Sequence, residues 1–292
     1  MSSIFHPTSP IPPSVEHSFR YCEELTFGHY ENFPVASFFI PKDKRKHIAA
    51  IYAFARTADD FADEPGMDQQ ERMRSLIEWE EELAECYKGS AKREIFIALR
   101  ETVRRHDIPQ DLLVRLLSAF KSDVTTRRYA TFRDVLRYCT NSANPVGRLV
   151  LMLFGYRDEK LFEYSDSICT ALQLANFWQD VTVDLDKDRV YLPLEDLRRF
   201  DVSEQELFSR SFTPAVRNLM KFQVFRTREY FDGGRPLLDA VGRNLKLELR
   251  LTWRGGMKIL RKIENAGYDV LKERPRLSKK DKLMLLIRSM GG

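Results

Sequence analysis

The stretch Phe54-Ala55-Arg56-Thr57-Ala58-Asp59-Asp60-Phe61-Ala62-Asp63-Glu64 places acidic side chains at helical spacing inside an apolar run. A second stretch repeats the pattern: Gln173-Leu174-Ala175-Asn176-Phe177-Trp178-Gln179-Asp180-Val181-Thr182-Val183-Asp184. Asp59 and Asp63 stand four residues apart, and Asn176, Asp180 and Asp184 follow one another at the same interval. On a helix each set lies along one face, with neighbours about 6 Å apart by rise. Stacked carboxylates repel, so such a face weakens an isolated helix unless a cation is shared among them. One such stretch reads most simply as a solvated face. Two of them, flanked by Ile51, Phe54 and Phe61 and by Leu172, Leu174, Phe177 and Trp178, do not, because solvated faces are rarely set so densely among core-type residues.

The chemistry of the donors restricts the cation. All are hard oxygens with no Cys or His beside them, which selects Mg²⁺ over zinc or copper. Mg²⁺ is usually held by one or two carboxylates together with substrate phosphate. Two such helices facing each other would suit a diphosphate bound through bridging metal ions.

The composition of the whole 292-residue chain frames this reading. Gly 13 and Pro 13 are few, no repeat or low-complexity block interrupts the chain, and apolar residues recur with a 3.6-residue period. These features predict an all-α fold in a single domain over 14–292, preceded by a flexible arm over 1–13 that carries Pro7, Pro10, Pro12 and Pro13. A net charge of +4 is modest. With no helix-turn-helix, Walker or zinc-finger pattern, a nucleic-acid partner is not expected. Cys22, Cys86, Cys139 and Cys169 form no C-x-x-C pair and read as core residues in a reducing compartment. No signal peptide and no membrane-spanning run is present, so a cytoplasmic location is expected, with contact at a membrane surface allowed.

Periodicity, caps and breakers predict helices over 14–27, 44–64, 68–88, 91–106, 109–124, 131–154, 158–184, 203–210, 213–232 and 235–265. Ser14 is the expected N-cap of the first. Pro145 and Gly147 predict a kink in the helix over 131–154, where Thr140, Asn141, Ser142 and Asn144 would either line a cavity or simply pack. Arg189 and Tyr191, in the loop after the second acidic stretch, stand close enough to fold back over a bound anion. The C-terminal stretch, with Lys272, Arg274, Arg276, Lys279, Lys280 and Lys282 before Leu283-Met284-Leu285-Leu286-Ile287, is basic and amphipathic. It reads as a final helix with one buried face or as one resting on an anionic membrane.

Taken together, these motifs resemble the squalene/phytoene synthase family of trans-isoprenoid synthases. The resemblance runs from His29 to about Arg274. It rests on Asp59-Asp60-x-x-Asp63, preceded by Tyr52 and Arg56, and on Gln173-x-x-Asn176-x-x-x-Asp180-x-x-x-Asp184, followed by Arg189 and Tyr191. The segments His29–Ser37, Ser142–Arg148 and Asn176–Val181 are similar to the hydroxysqualene-forming, hopanoid-pathway branch. Gln179 and Glu31 stand where many relatives carry basic residues.

The resemblance implies an isoprenoid-synthase helical bundle around a central cavity with the two acidic walls facing each other. It implies Mg²⁺ on Asp59, Asp60, Asp63, Asn176, Asp180 and Asp184, and diphosphate contacts from Arg56, Asn176, Arg189 and Tyr191. Asp59, Asp63, Asp180, Tyr52 and Tyr138 would be catalytic, the two tyrosines by stabilising a carbocation; Phe33, Phe177 and Trp178 are further aromatic candidates. The implied substrate is presqualene diphosphate, received from a presqualene diphosphate synthase, and no NADPH is expected. A condensing presqualene or prephytoene diphosphate synthase and a non-catalytic assembly protein are the alternative readings.

Overall fold

The computed structural model describes residues 13–28, 40–63 and 66–290. The helices are α1 (Val15–Gly28), α2 (Lys42–Asp63), α3 (Gln69–Tyr87), α4 (Glu94–His106), α5 (Gln110–Thr125), α6 (Phe132–Ser142), α7 (Asn144–Leu153) and α8 (Glu159–Gln179). They continue as α9 (Val181–Asp186), α10 (Leu194–Arg199), α11 (Glu204–Phe208), α12 (Pro214–Gly234), α13 (Leu237–Ala240), α14 (Arg243–Asn265) and α15 (Lys279–Met290). Among the described residues there is no strand, only an isolated bridge between Arg128 and Val190. The fold is all-α, as the periodicity predicts. The proposed arm before residue 13 and the segment carrying Glu31 and Phe33 lie outside the described residues.

Local chemistry sets the boundaries. Ser14 caps α1, its Oγ accepting from the His17 N–H at 3.2 Å. Capping boxes open α3, from Asp68 with Glu71, and α6, from Thr131 with Asp134. Three predicted helices are divided. The helix over 131–154 breaks fully at Ala143, and Pro145 falls in the first turn of α7, where its missing N–H costs nothing. The helix over 158–184 stops at Gln179, and Asp180 (φ −103°, ψ 13°) separates α8 from α9. The β-branched run Val181-Thr182-Val183 favours that interruption. The helix over 235–265 is split at Val241-Gly242. The short α10, which starts after Pro193, was not expected.

Two apolar clusters make the core. The first gathers α1 to α5 and α7 around Phe54, Trp79 and Phe96. The second gathers the C-terminal half of α8 with α9, α12 and α14 around Trp178, Phe231 and Leu260. Leu172 and Trp253 pack against both. The first acidic stretch therefore sits on one cluster and the second on the other, along their seam.

The packing of α8 on α12 depends on Gly234. A Cβ there would lie 2.7 Å from the Tyr164 carbonyl oxygen and 2.4 Å from Ile168 Cγ1. Backbone cannot retreat as a side chain does, so Gly234→Ala should cost about 1–3 kcal/mol of stability, read by urea unfolding.

Candidate active site

Helix α2 buries Ala50, Ala53, Phe54, Ala58 and Ala62 and leaves Tyr52, Arg56, Asp59 and Asp60 half-buried and Asp63 exposed. Arg56 lies one turn before the acids and forks to both, 3.1 Å from Asp59 Oδ2 and 2.5 Å from Asp60 Oδ1. Burial pushes the Asp59 carboxyl upward, Arg56 opposes it, and the charges of Asp63 and Asp60 add to it. The Tyr52 phenol is likewise raised by burial.

Across the seam, the second stretch leads into a loop that turns back onto Asp63. Lys187 Nζ lies 2.8 Å from Asp63 Oδ2, and Arg189 Nη2 lies 2.8 Å from Asp63 Oδ1. Burial works against ionisation of Asp63, but the hydrogen bonds from Lys187 and Arg189 prevail and hold it below the ordinary carboxylate range. The loop that follows the second stretch is thereby tied to the end of the first. The protein's own cations join them.

Asp180, at the break after α8, is held by Arg274, whose Nη2 donates to Oδ2 at 2.9 Å and whose Nε donates to Oδ1. Asp184 keeps helical register with it, its N–H donating to the Asp180 carbonyl at 2.9 Å. Burial, reinforced by the charge of Asp180, pushes the Asp184 carboxyl up to about 7. Asn176 is exposed on the last turn of α8, and Gln179 is half-buried at its end.

Arg189 and Tyr191 are placed more deeply than the sequence suggests. Arg189 is 8% exposed, and its Nε is buried without a partner. Tyr191 stacks on Phe177 at 3.8 Å between centroids and donates to Asp123 Oδ1 at 3.3 Å. Tyr138 donates to the other oxygen of Asp123 at 2.8 Å, and Arg189 donates to the Asp123 carbonyl at 3.3 Å. Burial pushes the Asp123 carboxyl up to about 6, against the hydrogen bond from Tyr138 and the charge of Arg189. Tyr138, Tyr191 and Phe177 thus form an aromatic wall with Asp123 behind it.

Three participants escaped the sequence reading. Asp123 had a usable signal, because it falls on the buried stripe of α5 with Leu116 and Ala119. Lys187 lies in the loop after the second acidic stretch, where only Arg189 and Tyr191 stood out. Arg274 was counted with the basic C-terminal stretch, but it belongs to Asp180, 94 residues earlier, and nothing local announces that pairing.

The donor set suits a hard divalent ion. Asp180 and Asp184 stand together, and Asp184 has no cation of its own bonded to it, so an added positive charge would relieve its raised carboxyl. Among the described residues no three acidic, His or Cys side chains converge as a ready-made cage.

An all-α fold that carries one acidic stretch on each of its two apolar clusters invites comparison with the isoprenoid synthases. The squalene/phytoene synthase family model matches residues 27–281. A hydroxysqualene synthase from Rhodopseudomonas palustris is 34% identical over 85% of this chain and 83% of its own length. A phytoene synthase from Arthrospira platensis is 27% identical over 96% of this chain and 94% of its own. The crystal structure of the squalene synthase HpnC from Alicyclobacillus acidocaldarius superposes with a TM-score of 0.83 at 39% identity, covering 87% of this chain and 95% of that one. The chain belongs to the squalene/phytoene synthase family, and it is an enzyme of that family.

Proposed function

We propose that the chain is a hydroxysqualene synthase, converting presqualene diphosphate and water to hydroxysqualene and diphosphate on the way to squalene and hopanoids. The observation that carries this reading is the supply of positive charge at the seam. Arg56, Lys187, Arg189 and Arg274 are all engaged by carboxylates, and Gln179 adds none. A condensing enzyme must hold two diphosphates at once, and the scarcity of unpaired cations supports the reading with one. The identity to a hydroxysqualene synthase supports the same choice.

Asp59, Asp60, Asp63, Asn176, Asp180 and Asp184 would hold Mg²⁺, which supplies neutralisation of the departing diphosphate. Arg56 and Arg189 would add hydrogen bonds to its oxygens. The carbon–oxygen bond to diphosphate breaks, leaving a cyclopropylcarbinyl cation. Tyr52 and the wall of Tyr138 and Phe177 face the cation and shield it from early water. Water then closes the rearranged cation as an alcohol and gives up a proton. No hydride donor enters this balance.

Incubation with presqualene diphosphate and Mg²⁺, without NADPH, should yield hydroxysqualene. The specific competitor is a condensing enzyme, favoured by the match to a phytoene synthase over 96% of the chain. Product from farnesyl or geranylgeranyl diphosphate, with none from presqualene diphosphate, would establish the competitor instead. Presqualene diphosphate would come from a separate synthase acting just before this enzyme.

A further inference from the structure

Helices α14 and α15 enclose a groove of about 540 Å³, floored by Trp253 and Leu285 and rimmed by Arg254, Lys258, Arg261 and Arg288. Only Lys258 on that rim meets a carboxylate, 3.3 Å from Asp281 Oδ1. Lys262 holds the other oxygen of Asp281 at 2.8 Å, and Ser278 donates to it as well. Among the described residues no carboxylate pairs with Arg254, Arg261 or Arg288. Among the described residues Arg254 has a single polar contact, 3.4 Å to Ser289 Oγ. Its guanidinium is held below its ordinary value, first by burial and then by the charges of Arg250 and Arg288. Cations crowded around an apolar floor repel one another, and an anion entering the groove removes that repulsion.

The outer face of α15 says which anion. Leu283 and Ile287, one turn apart, are 58% and 62% exposed. Lys279 and Lys280 are exposed in the turn before them. Asp281, the one acid of α15, is turned inward and locked. The face is therefore aliphatic and basic with no acid on it. A nucleic acid or a phosphorylated peptide would bring phosphate but no medium for Leu283 and Ile287. An anionic bilayer brings both.

We propose that the groove between α14 and α15 seats phosphate headgroups of anionic phospholipids while Leu283 and Ile287 enter the acyl boundary, docking the enzyme on a bilayer surface. No described helix is long and apolar enough to cross a membrane, so this is attachment at the surface. The cations responsible differ from those the sequence emphasised: Arg274 is taken by Asp180, whereas Arg254 and Arg261 come from α14.

Flotation of the full chain with vesicles of phosphatidylcholine, alone or mixed with phosphatidylglycerol, tests this. Binding should require the anionic lipid and fall steeply toward about 0.5 M salt. The combined change Arg254→Gln, Arg261→Gln and Arg288→Gln should weaken it about a hundredfold. Leu283→Ser with Ile287→Ser should weaken it at low salt too, and thermal melts should show both variants folded. Should the triple variant unfold, the exposed single change Arg261→Glu should still weaken binding about tenfold. Equal binding to both vesicle types, no binding to anionic vesicles, or wild-type binding by Arg261→Glu would overturn the proposal. So would loss of binding through the arginines with none through Leu283 and Ile287, which would mark a soluble phosphate-bearing ligand.

Discussion

Alanine in place of Asp63 is expected to lower diphosphate release by about a thousandfold or more while the helical circular-dichroism spectrum stays unchanged. Asp63 is the residue through which the first acidic stretch meets the loop that follows the second. Its side chain is 37% exposed and belongs to neither apolar cluster, so the fold should survive its loss. What disappears is charge: Lys187 and the buried Arg189 lose their anion, and the first wall loses a carboxylate aimed across the seam. Asp63→Asn should lose nearly as much, because size is kept and charge is not. Asp180→Ala should match it from the other wall, where Arg274 is the abandoned partner. Turnover at the wild-type rate in either alanine variant would remove the acidic walls from the chemistry.

The second large effect concerns stability and lies away from the seam. Glu248 on α14 is 7% exposed, and among the described residues its Oε2 has no hydrogen-bond partner. Burial alone pushes its carboxyl from 4.5 up to about 7. Between those values the folded chain binds a proton that the unfolded chain has released, so stability falls as pH rises from about 4.5 to about 7. Above that range the cost of the buried charge is complete. Glu248→Gln should therefore match the parent at pH near 5 and exceed it by about 2–3 kcal/mol at pH near 8, taking 1.36 kcal/mol per pKa unit. Urea unfolding at the two pH values measures the difference. Equal stabilities at the higher pH would mean that the carboxylate is solvated after all.

The helical class and the two acidic faces could be read from the chain because both rest on short-range periodicity. Asp59 and Asp63, and Asn176, Asp180 and Asp184, are spaced by the helix itself. The interruptions at Ala143 and Asp180 were harder. Pro145 signals a disturbance but not whether the helix bends or ends, and Asp180 carries no breaker at all beyond the β-branched residues that follow it. The long-range pairings were not legible. Arg274 with Asp180, and Asp123 with Tyr138 and Tyr191, depend on which helices become neighbours, and a basic residue in a basic stretch looks the same whether it faces solvent or a carboxylate. Depth was equally hidden. Arg189 and Tyr191 read as loop residues, yet both are buried, because the loop folds inward over Asp63 and Asp123.

The bonds from Lys187 and Arg189 to Asp63 have a consequence for the life of the protein before it meets any ligand. A chain that supplies its own counterions can finish folding on leaving the ribosome, with no inorganic ion awaited. On the proposed function, loading the site would be an exchange of partners, in which an ammonium and a guanidinium released from one carboxylate would turn to the incoming phosphate.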